Sequence, residues 1–317
     1  MTNNTTVMGR NGIRATVIAD SISAVTSDRM TTMEIEYPRF ILAELNTHKM
    51  LSKNSASSRA IPTEAMHQHI LEHMAMPVEW GRNKSGMQAA EELSPEDIAM
   101  AKEIWASAIK SGIQYSKALA DLGLHKQIVN RLTEAGMTMK TVISGTEWNN
   151  LYHLRAHADA QPEFAELAFA MLEAHTKSDP FLLYPGEWHL PYINRSRNSN
   201  GSIVYGCGDQ YYGMQNARII SASCCAQVSY RKNNEKLEVA QRIFDKLINT
   251  QPCHASPVEH QATPMAKRTL MQRALGRQFT EPGITHVDRN GNRWSANLQG
   301  FIQFRKLIPG DAVWGRI

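Results

Sequence analysis

The most constraining feature of the sequence is a short stretch with the two-residue period of a β-strand. Met33, Ile35 and Tyr37 alternate with Glu34 and Glu36, so one face of this strand is apolar and the other is charged. Such a strand must bury its apolar face against another element. Three segments can provide helices for this, because their apolar residues recur at helical spacing. These segments are Pro95 to Leu122, Pro162 to His175 and Lys236 to Ile248.

Strands and long helices together predict an α+β fold, a single compact mixed domain with a β-sheet and several long helices. A second strand is predicted over Ile13 to Ile18, and an interruption of the first long helix at Gly112. The segment from Pro180 to Gln215 is rich in Pro, Gly, Asn and Tyr and predicts a long surface excursion, with 177–220 as an insertion or lid. Residues 1–317 contain no low-complexity linker, which favours one domain.

Composition argues against several classes of protein. Hydrophobic residues make up 42% of the chain, yet no run of about eighteen apolar residues could span a membrane. The N-terminus lacks the apolar stretch of a secretory signal, which favours the cytoplasm. Four cysteines are too few for a disulfide framework, and Cys224 and Cys225 lie in a predicted buried strand. The net charge of +4 comes without a dense Lys/Arg stripe, so a nucleic-acid-binding module using the basic C-terminus is only a distant alternative.

The segment that most suggests chemistry is residues 47–59, T-H-K-M-L-S-K-N-S-A-S-S-R, which we call the signature segment. It follows a short helix that is predicted to start at Pro38. From Ser52 to Ser58 it predicts a polar loop of small hydroxyls, closed by Arg59. Backbone N–H groups, hydroxyls and a guanidinium in such a loop can bind a phosphate. An exposed serine-rich connection is the alternative that residue chemistry alone leaves open.

The signature segment resembles that of the flavin-dependent thymidylate synthases, the thymidylate synthase complementing proteins, whose pattern is R-H-R-x-x-S-x-N-x-x-S-x-R. Lys49 stands for the second arginine of the pattern, and Thr47 replaces the first. Five residues are in register with the pattern: His48, Ser52, Asn54, Ser57 and Arg59.

Two further blocks support the same resemblance. Residues 147–163 resemble the stretch ending in L-R-x-x-x-x-A-Q-x-E, with Arg155 at the arginine that contacts the nucleotide, while residues 144–146 replace the usual N-A-R triplet. Residues 226–230 and 253–260 resemble the A-R-V-S-Y and H-x-[ST]-P-F-E-H elements. Those elements precede the signature in ordinary members but follow it here. The order implies a circularly permuted, phage-like member, a rearrangement that compact domains tolerate.

The resemblance implies a role for each matching residue. The implied catalytic residues are Arg155 and Ser57. The implied nucleotide-binding residues are Glu44, Ser57, Ser58, Arg59, Arg131 and Arg155, where Arg131 is matched only with a gap. The implied cofactor-binding residues are His48, Lys49, Ser52, Asn54, Asn150, His254, Ser256 and Glu259. No metal site is expected, because Cys253 and His254 are adjacent and no second pair has finger-like spacing.

The resemblance also implies a reaction, the transfer of a one-carbon unit from methylenetetrahydrofolate to C5 of dUMP to give dTMP. It implies FAD as bound cofactor, NADPH as reductant and a homotetramer. Arginines suit this reaction because they clamp a phosphate and stabilise charge on the pyrimidine. Glu44 stands where the family usually has a glutamine. A related C5 methylation or hydroxymethylation of dUMP or dCMP, for modified-DNA precursors, therefore stays an alternative.

Overall fold

The computed structural model describes residues 5–89, 91–229, 236–267 and 281–312. Tyr230, the last residue of the A-R-V-S-Y-like element, therefore lies outside the described residues. The strands are β1 Thr6–Met8, β2 Arg14–Ser23, β3 Arg29–Pro38, β4 Ser52–Ser55, β5 Thr138–Gly145, β6 Phe181–Leu183, β7 Asn194–Arg197, β8 Ile203–Cys207, β9 Gln210–Tyr212, β10 Ala262–Pro264, β11 His286–Val287, β12 Arg293–Ser295, β13 Leu298–Gln299 and β14 Phe301–Gln303.

The described α-helices lie between and after these strands. They are α1 Leu42–Leu45, α2 Thr63–Glu72, α3 Pro95–Asp121, α4 Lys126–Val129, α5 Asn149–Arg155, α6 Pro162–Lys177, α7 Met214–Ala226 and α8 Leu237–Ile248. Short 3-10 helices span Arg10–Gly12, Arg39–Ile41, Asn130–Gly136, Ser256–Glu259 and Phe304–Leu307. None of the helices in the described part of the chain is both long and apolar enough to cross a bilayer.

The main sheet has the strand order β1-β2-β3-β5-β4, and β6 pairs with β2 in parallel. The other pairs are antiparallel, and β2 carries a bulge between Val17 and Ala19. Smaller antiparallel sheets are formed by β7-β8-β9, by β11-β12-β13 and by β10-β14. Long strands and long helices in one chain make this a mixed α+β fold, which confirms the fold class predicted from the sequence. The circular permutation and the single domain over 1–317 stay predictions.

One face of the main sheet packs on α6. Ile35 and Tyr37 of β3 lie in one apolar cluster with Phe164 and Leu167 of α6. Pro162 occupies the first turn of α6, where its missing N–H costs nothing, and the charge of Lys177 in the last turn complements the helix dipole. Each fully buried side chain of this kind contributes about 1.5–3 kcal/mol of transfer free energy. This face is the apolar one that the alternation in β3 predicts.

The other face of the sheet packs on α7, where Ile18 and Val142 meet Cys225 and Val228. The prediction of a buried strand around Cys224 and Cys225 was wrong, because both residues lie in the helix Met214–Ala226. A short apolar run fits a buried helix as well as a buried strand, so its periodicity alone does not distinguish them.

Three other local predictions also need correction. α3 runs through Gly112 without interruption, and a Cβ at this glycine would lie 3.1 Å from the carbonyl oxygen of Leu132, so the residue permits close helix packing. The segment 180–215 does not lie wholly on the surface, because Trp188 and Tyr205 are buried in a cluster with α7, while an insertion or lid at 177–220 stays a prediction. The predicted polar loop at 52–58 begins as a strand, since Ser52–Ser55 pairs with β5.

Candidate functional site

The guanidinium of Arg155, at the end of α5, joins residues from separate parts of the sequence. Its Nη1 lies 3.1 Å from Oε2 of Glu44, and its Nε donates to Nε2 of His48 at 3.1 Å. Its Cζ lies 4.9 Å from the centroid of the Phe164 ring, close enough for a cation–π contact. An ion pair, a hydrogen bond and a ring contact together fix the plane of this guanidinium. The predicted residues Glu44, His48 and Arg155 therefore form one cluster.

His48 is neutral at physiological pH in this cluster. Burial, the charge of Arg155 and then that of Lys53 lower the pKa of His48 to about 4. Because Nε2 accepts the hydrogen bond from Arg155, the proton of the neutral ring is assigned to Nδ1. The ring also meets Phe164 edge-on, with 5.7 Å between centroids. His48 is thus placed to orient Arg155 rather than to carry charge.

A cleft of about 400 Å³, which we call the Arg155 cleft, opens beside this cluster. His48, Lys49, Asn150 and Arg155, all predicted site residues, line it. The rest of its lining is mainly apolar and includes Leu151, Leu154 and Trp294. Glu147 also lines the cleft, and burial together with the charge of Asp28 raises its pKa. The cleft therefore combines an apolar wall with donors and cations.

A second cleft, of about 490 Å³, shares Lys49 and Leu51 with the first, and we call it the Lys53 cleft. Ser52, Lys53 and Glu259 line it as well. Lys53 Nζ donates to the carbonyl oxygens of His48 and Leu51. Burial and the charge of Lys49 lower the pKa of Lys53 to about 8, and Glu259 opposes that shift. Two ammonium groups therefore lie in one polar cleft.

The family model described as thymidylate synthase complementing protein matches residues 14–181, just over half of the chain. The chain belongs to the thymidylate synthase complementing protein family. The match contains the signature segment, Glu44, Arg131 and Arg155, so it covers the part of the sequence in which most of the site residues were predicted.

Solved and curated proteins add little to this assignment. One solved structure with some similarity is that of a UMP/dUMP methylase, PolB from Streptomyces cacaoi, bound with 5-Br UMP. Its sequence is 16% identical, the alignment covers 52% of this chain and 89% of that chain, and the TM-score is 0.44. No curated protein matches this member of the family significantly.

The distal end of the signature segment contacts Glu134, whose carboxylate interacts with three other side chains. Its Oε1 accepts from Arg131 Nη1 at 2.8 Å and from Ser58 Oγ at 3.3 Å, and Arg39 Nη2 lies 2.9 Å away. Arg59 is exposed beside Ser58. Arg131 and Ser58 are therefore brought together by Glu134, and their nucleotide-binding role stays a prediction. Arg39 was not predicted from the sequence, although it directly follows Pro38.

The remaining predicted cofactor residues lie in three different surroundings. Glu259 lines the Lys53 cleft and is bound by the guanidinium of Arg305. His254 and Ser256 are exposed and line neither the Arg155 cleft nor the Lys53 cleft. Asn54 donates to the carbonyl oxygen of Cys225, which ties β4 to α7.

Ser57, predicted both as catalytic and as nucleotide-binding, lies just beyond β4. Its backbone N–H donates to Ser229 Oγ at 3.0 Å. This bond joins the signature segment to the A-R-V-S-Y-like element at residues 226–230. Two motifs that are far apart in the sequence therefore meet at Ser57.

A buried chain of hydrogen bonds runs behind the clefts. His260 Nδ1 lies 2.8 Å from Ser144 Oγ, which lies 2.7 Å from Thr32 Oγ1. Thr32 Oγ1 lies 2.8 Å from His189 Nε2, and His189 Nδ1 lies 2.8 Å from Ser21 Oγ. Burial lowers the pKa of His260 to about 3 and keeps His189 neutral as well. Ser144 belongs to the triplet that departs from the family pattern. Its hydroxyl thus links His260 to Thr32 within this buried chain of hydrogen bonds.

Several residues at the clefts had no sequence signal. Trp294 and Asn297 line the clefts from the C-terminal segment, and Gln303 and Arg305 bind the motif residues from the same segment. They lie outside the matched residues 14–181, with no motif to mark them, and Asn297 is 245 positions from Ser52, which it contacts. Within the described ranges, no three His, Cys, Asp or Glu side chains converge as metal ligands would.

Proposed function

We propose that this protein transfers a one-carbon unit from methylenetetrahydrofolate to C5 of dUMP to give dTMP, with FAD as bound cofactor and NADPH as reductant. The observation that carries the proposal is the contact of Arg155 with Glu44 and His48 beside one cleft. Glu44 and His48 flank the start of the signature segment, and Arg155 belongs to the second motif block. Two independent motif matches thus supply one constellation, which supports a shared role in binding and orientation.

In this proposal Arg155 binds the pyrimidine. Its Nη2 makes no hydrogen bond to any residue that the structure describes, so it can donate to a ring carbonyl oxygen. Negative charge that the ring holds on that oxygen before C5 attacks would be stabilised by a donor already held in place by Glu44, His48 and Phe164. Because the donor is fixed before the reaction, little reorganisation is needed in the transition state.

The phosphate of the nucleotide would bind at the distal end of the signature segment. Ser57 offers a hydroxyl there, and Arg59 and Arg131 offer guanidinium groups, the donor set that suits a phosphate. The hydroxyl of Ser58 is buried and donates to Glu134 instead. Glu134 balances part of this charge and holds Arg131 close to Ser58.

The lining of the two clefts fits a flavin. Leu151, Leu154 and Trp294 form an apolar and aromatic wall against which a planar ring can lie. Lys49 lies where the two clefts meet and can pair with a pyrophosphate, and Asn150 and His48 offer polar groups to a ring edge. When bound, FAD would supply the reducing equivalents that convert the transferred carbon to a methyl group. His254 and Ser256 would take part only in contacts beyond these clefts.

The test is a reaction of purified protein with dUMP, methylenetetrahydrofolate, NADPH and FAD, with the nucleotide product analysed by mass spectrometry. We expect dTMP as the product. We also expect Arg155→Lys to lower turnover at least about tenfold, because the ammonium group of lysine cannot make the paired planar hydrogen bonds of a guanidinium. Glu173→Gln, which breaks an exposed ion pair with Lys177, is the matched control and should retain activity. Unconsumed dUMP with every cosubstrate present would contradict the proposal.

A second candidate has one observation in its favour. Glu44 is an acceptor-only carboxylate beside Arg155, and such a group favours an amino group on a base over a carbonyl. Methylation or hydroxymethylation of dCMP, or hydroxymethylation of dUMP, therefore remains the alternative. The same assay distinguishes these outcomes when dCMP is supplied as well as dUMP. The mass of the nucleotide product identifies both the base and the group that was transferred.

A further inference from the structure

The turn between β12 and β13 contacts the signature segment directly. Asn297 Nδ2 donates to the carbonyl oxygen of Met50 at 3.0 Å, and Ser52 Oγ donates to Asn297 Oδ1 at 3.2 Å. The side-chain amide of Asn297 therefore forms hydrogen bonds with Met50 and Ser52, the two neighbours of Leu51, and Leu51 lines both clefts. Ala296 has a φ of 53°, a conformation that is uncommon for a residue with a Cβ, and Thr285 Oγ1 accepts from its N–H at 2.9 Å. The turn is thus held in one shape by its own sheet.

A second set of bonds ties the same C-terminal segment to the third motif block. Gln303 Nε2 donates to the carbonyl oxygen of Glu259 at 3.2 Å and approaches Ser52 Oγ at 3.4 Å. Arg305 binds the carboxylate of Glu259. This pairing neutralises the acid of the Lys53 cleft, so the charges of Lys49 and Lys53 are left in excess there. The electrostatics of the cleft therefore favour an anionic ligand group.

Trp294 gives the Arg155 cleft a rigid aromatic wall. Its ring stacks on His286 with 5.8 Å between centroids and 9° between planes. Its Nε1 donates to Asp288 Oδ2 at 3.1 Å, so the ring is held at its face and at its polar edge. A fixed aromatic side chain in a cleft lined by leucines suits a flat heteroaromatic ring.

We propose that the turn at 293–299 is a second wall of the ligand site, built from chain outside the family match. In this proposal Trp294 contacts the ring of the ligand, and Asn297 is a positioning residue that holds residues 50–52. The ligand class is an elongated molecule with a planar ring in the Arg155 cleft and a phosphate group at Lys49 and Lys53. FAD belongs to this class, so the inference rests on the proposed function and extends it to residues that no motif marks.

The test measures FAD binding to the full-length chain without turnover. Tryptophan fluorescence is titrated with FAD, and the visible spectrum of the bound flavin is recorded, for wild type, Asn297→Ala, Trp294→Phe and Asn290→Ala. Asn290 lies exposed on the same small sheet, away from both clefts, and is the matched control for Asn297. Asn297→Ala should weaken FAD binding at least about tenfold, and Asn290→Ala should leave it within about twofold. Trp294→Phe should reduce the quenching and shift the bound-flavin spectrum.

The outcomes separate this inference from the proposed function. A wild-type protein that binds no FAD would contradict both. A wild type that binds FAD, with Asn297→Ala and Trp294→Phe matching it in affinity and spectrum, would overturn the second wall alone. If Asn297→Ala does not fold, Asn297→Asp replaces it, since it keeps the acceptor for Ser52 and loses the donor to Met50. Trp294→Phe decides the ring contact independently, because it keeps an aromatic side chain in place.

Discussion

Replacing Glu44 by glutamine tests how the site chooses its base. The change removes a charge from the group beside Arg155 but keeps its size and one acceptor. Carboxylate oxygens only accept, so they favour the N4 amino group of cytosine, whereas an amide can also donate to O4 of uracil. Glu44→Gln should therefore shift the preference toward dUMP.

The size of the shift follows from the exposure of the pair. A hydrogen bond to a charged group contributes about 1.5–3 kcal/mol when well shielded. The side chains of Arg155 and Glu44 are 23% and 38% exposed, so we expect the lower end, about 1.5 kcal/mol, which is roughly a tenfold change in the ratio of the two affinities. Partly exposed ion pairs contribute less than about 1 kcal/mol to folding, so the variant should remain folded.

The assay is calorimetric titration of dUMP and dCMP into wild type, Glu44→Gln and Glu173→Gln, all loaded with FAD. Glu173→Gln also removes a carboxylate from an ion pair, but on the exposed face of α6, and should change neither affinity. An equal loss of both affinities in Glu44→Gln would mean that Glu44 acts only as support for Arg155. An unchanged ratio would refute the assignment of Glu44 to base choice.

Three further predictions follow from burial and charge. Arg59 is exposed, so Arg59→Ala should weaken dUMP binding by only about 1 kcal/mol, five- to tenfold by calorimetry, and an unchanged affinity would remove Arg59 from the phosphate site. A flavin route needs no protein thiol, so alanine variants of the cysteines near the motifs should keep turnover within about tenfold. The wild-type protein should form no covalent adduct with a 5-fluoropyrimidine nucleotide. An adduct trapped on one of these cysteines, together with lost turnover in its alanine variant, would overturn that route. These cysteines are Cys224 and Cys225, buried in α7, and Cys253, whose pKa is raised by burial. Burial lowers the pKa of His48 and of His175 to about 4, so their contribution to stability is present above about pH 6.5 and is lost as the pH falls toward 4. The urea midpoint should be lower at pH 5 than at pH 7.5, with a smaller drop in His175→Gln than in the exposed His153→Gln; equal drops would contradict this assignment.

Local sequence patterns were sufficient for two strands of the main sheet, β2 and β3, and for part of the site. The alternation in β3 predicted its buried face because a strand exposes alternate side chains to opposite sides. The motif blocks predicted Glu44 and Arg155 as nucleotide-binding and His48 as cofactor-binding residues, and the structure brings the three side chains into contact, while their roles stay predictions. Such predictions succeed where the information lies within one element or one contiguous motif.

The rest depended on contacts between distant parts of the chain. Ser52–Ser55 is polar and rich in small residues, and it forms a strand because β5 offers it a hydrogen-bonding edge. Trp294 and Asn297 reach the clefts only through the fold of a small sheet at the other end of the sequence. Neither periodicity nor spacing encodes such a meeting, so the C-terminal wall was not predictable from the sequence.

The most direct test of the central claim is the flavin content of the purified protein. The protein is denatured, and the released cofactor is identified by its absorbance and by mass spectrometry, with and without prior incubation with FAD. The account predicts a yellow protein that releases FAD in stoichiometric amount after that incubation. A colourless protein that takes up no FAD at micromolar concentrations would contradict it.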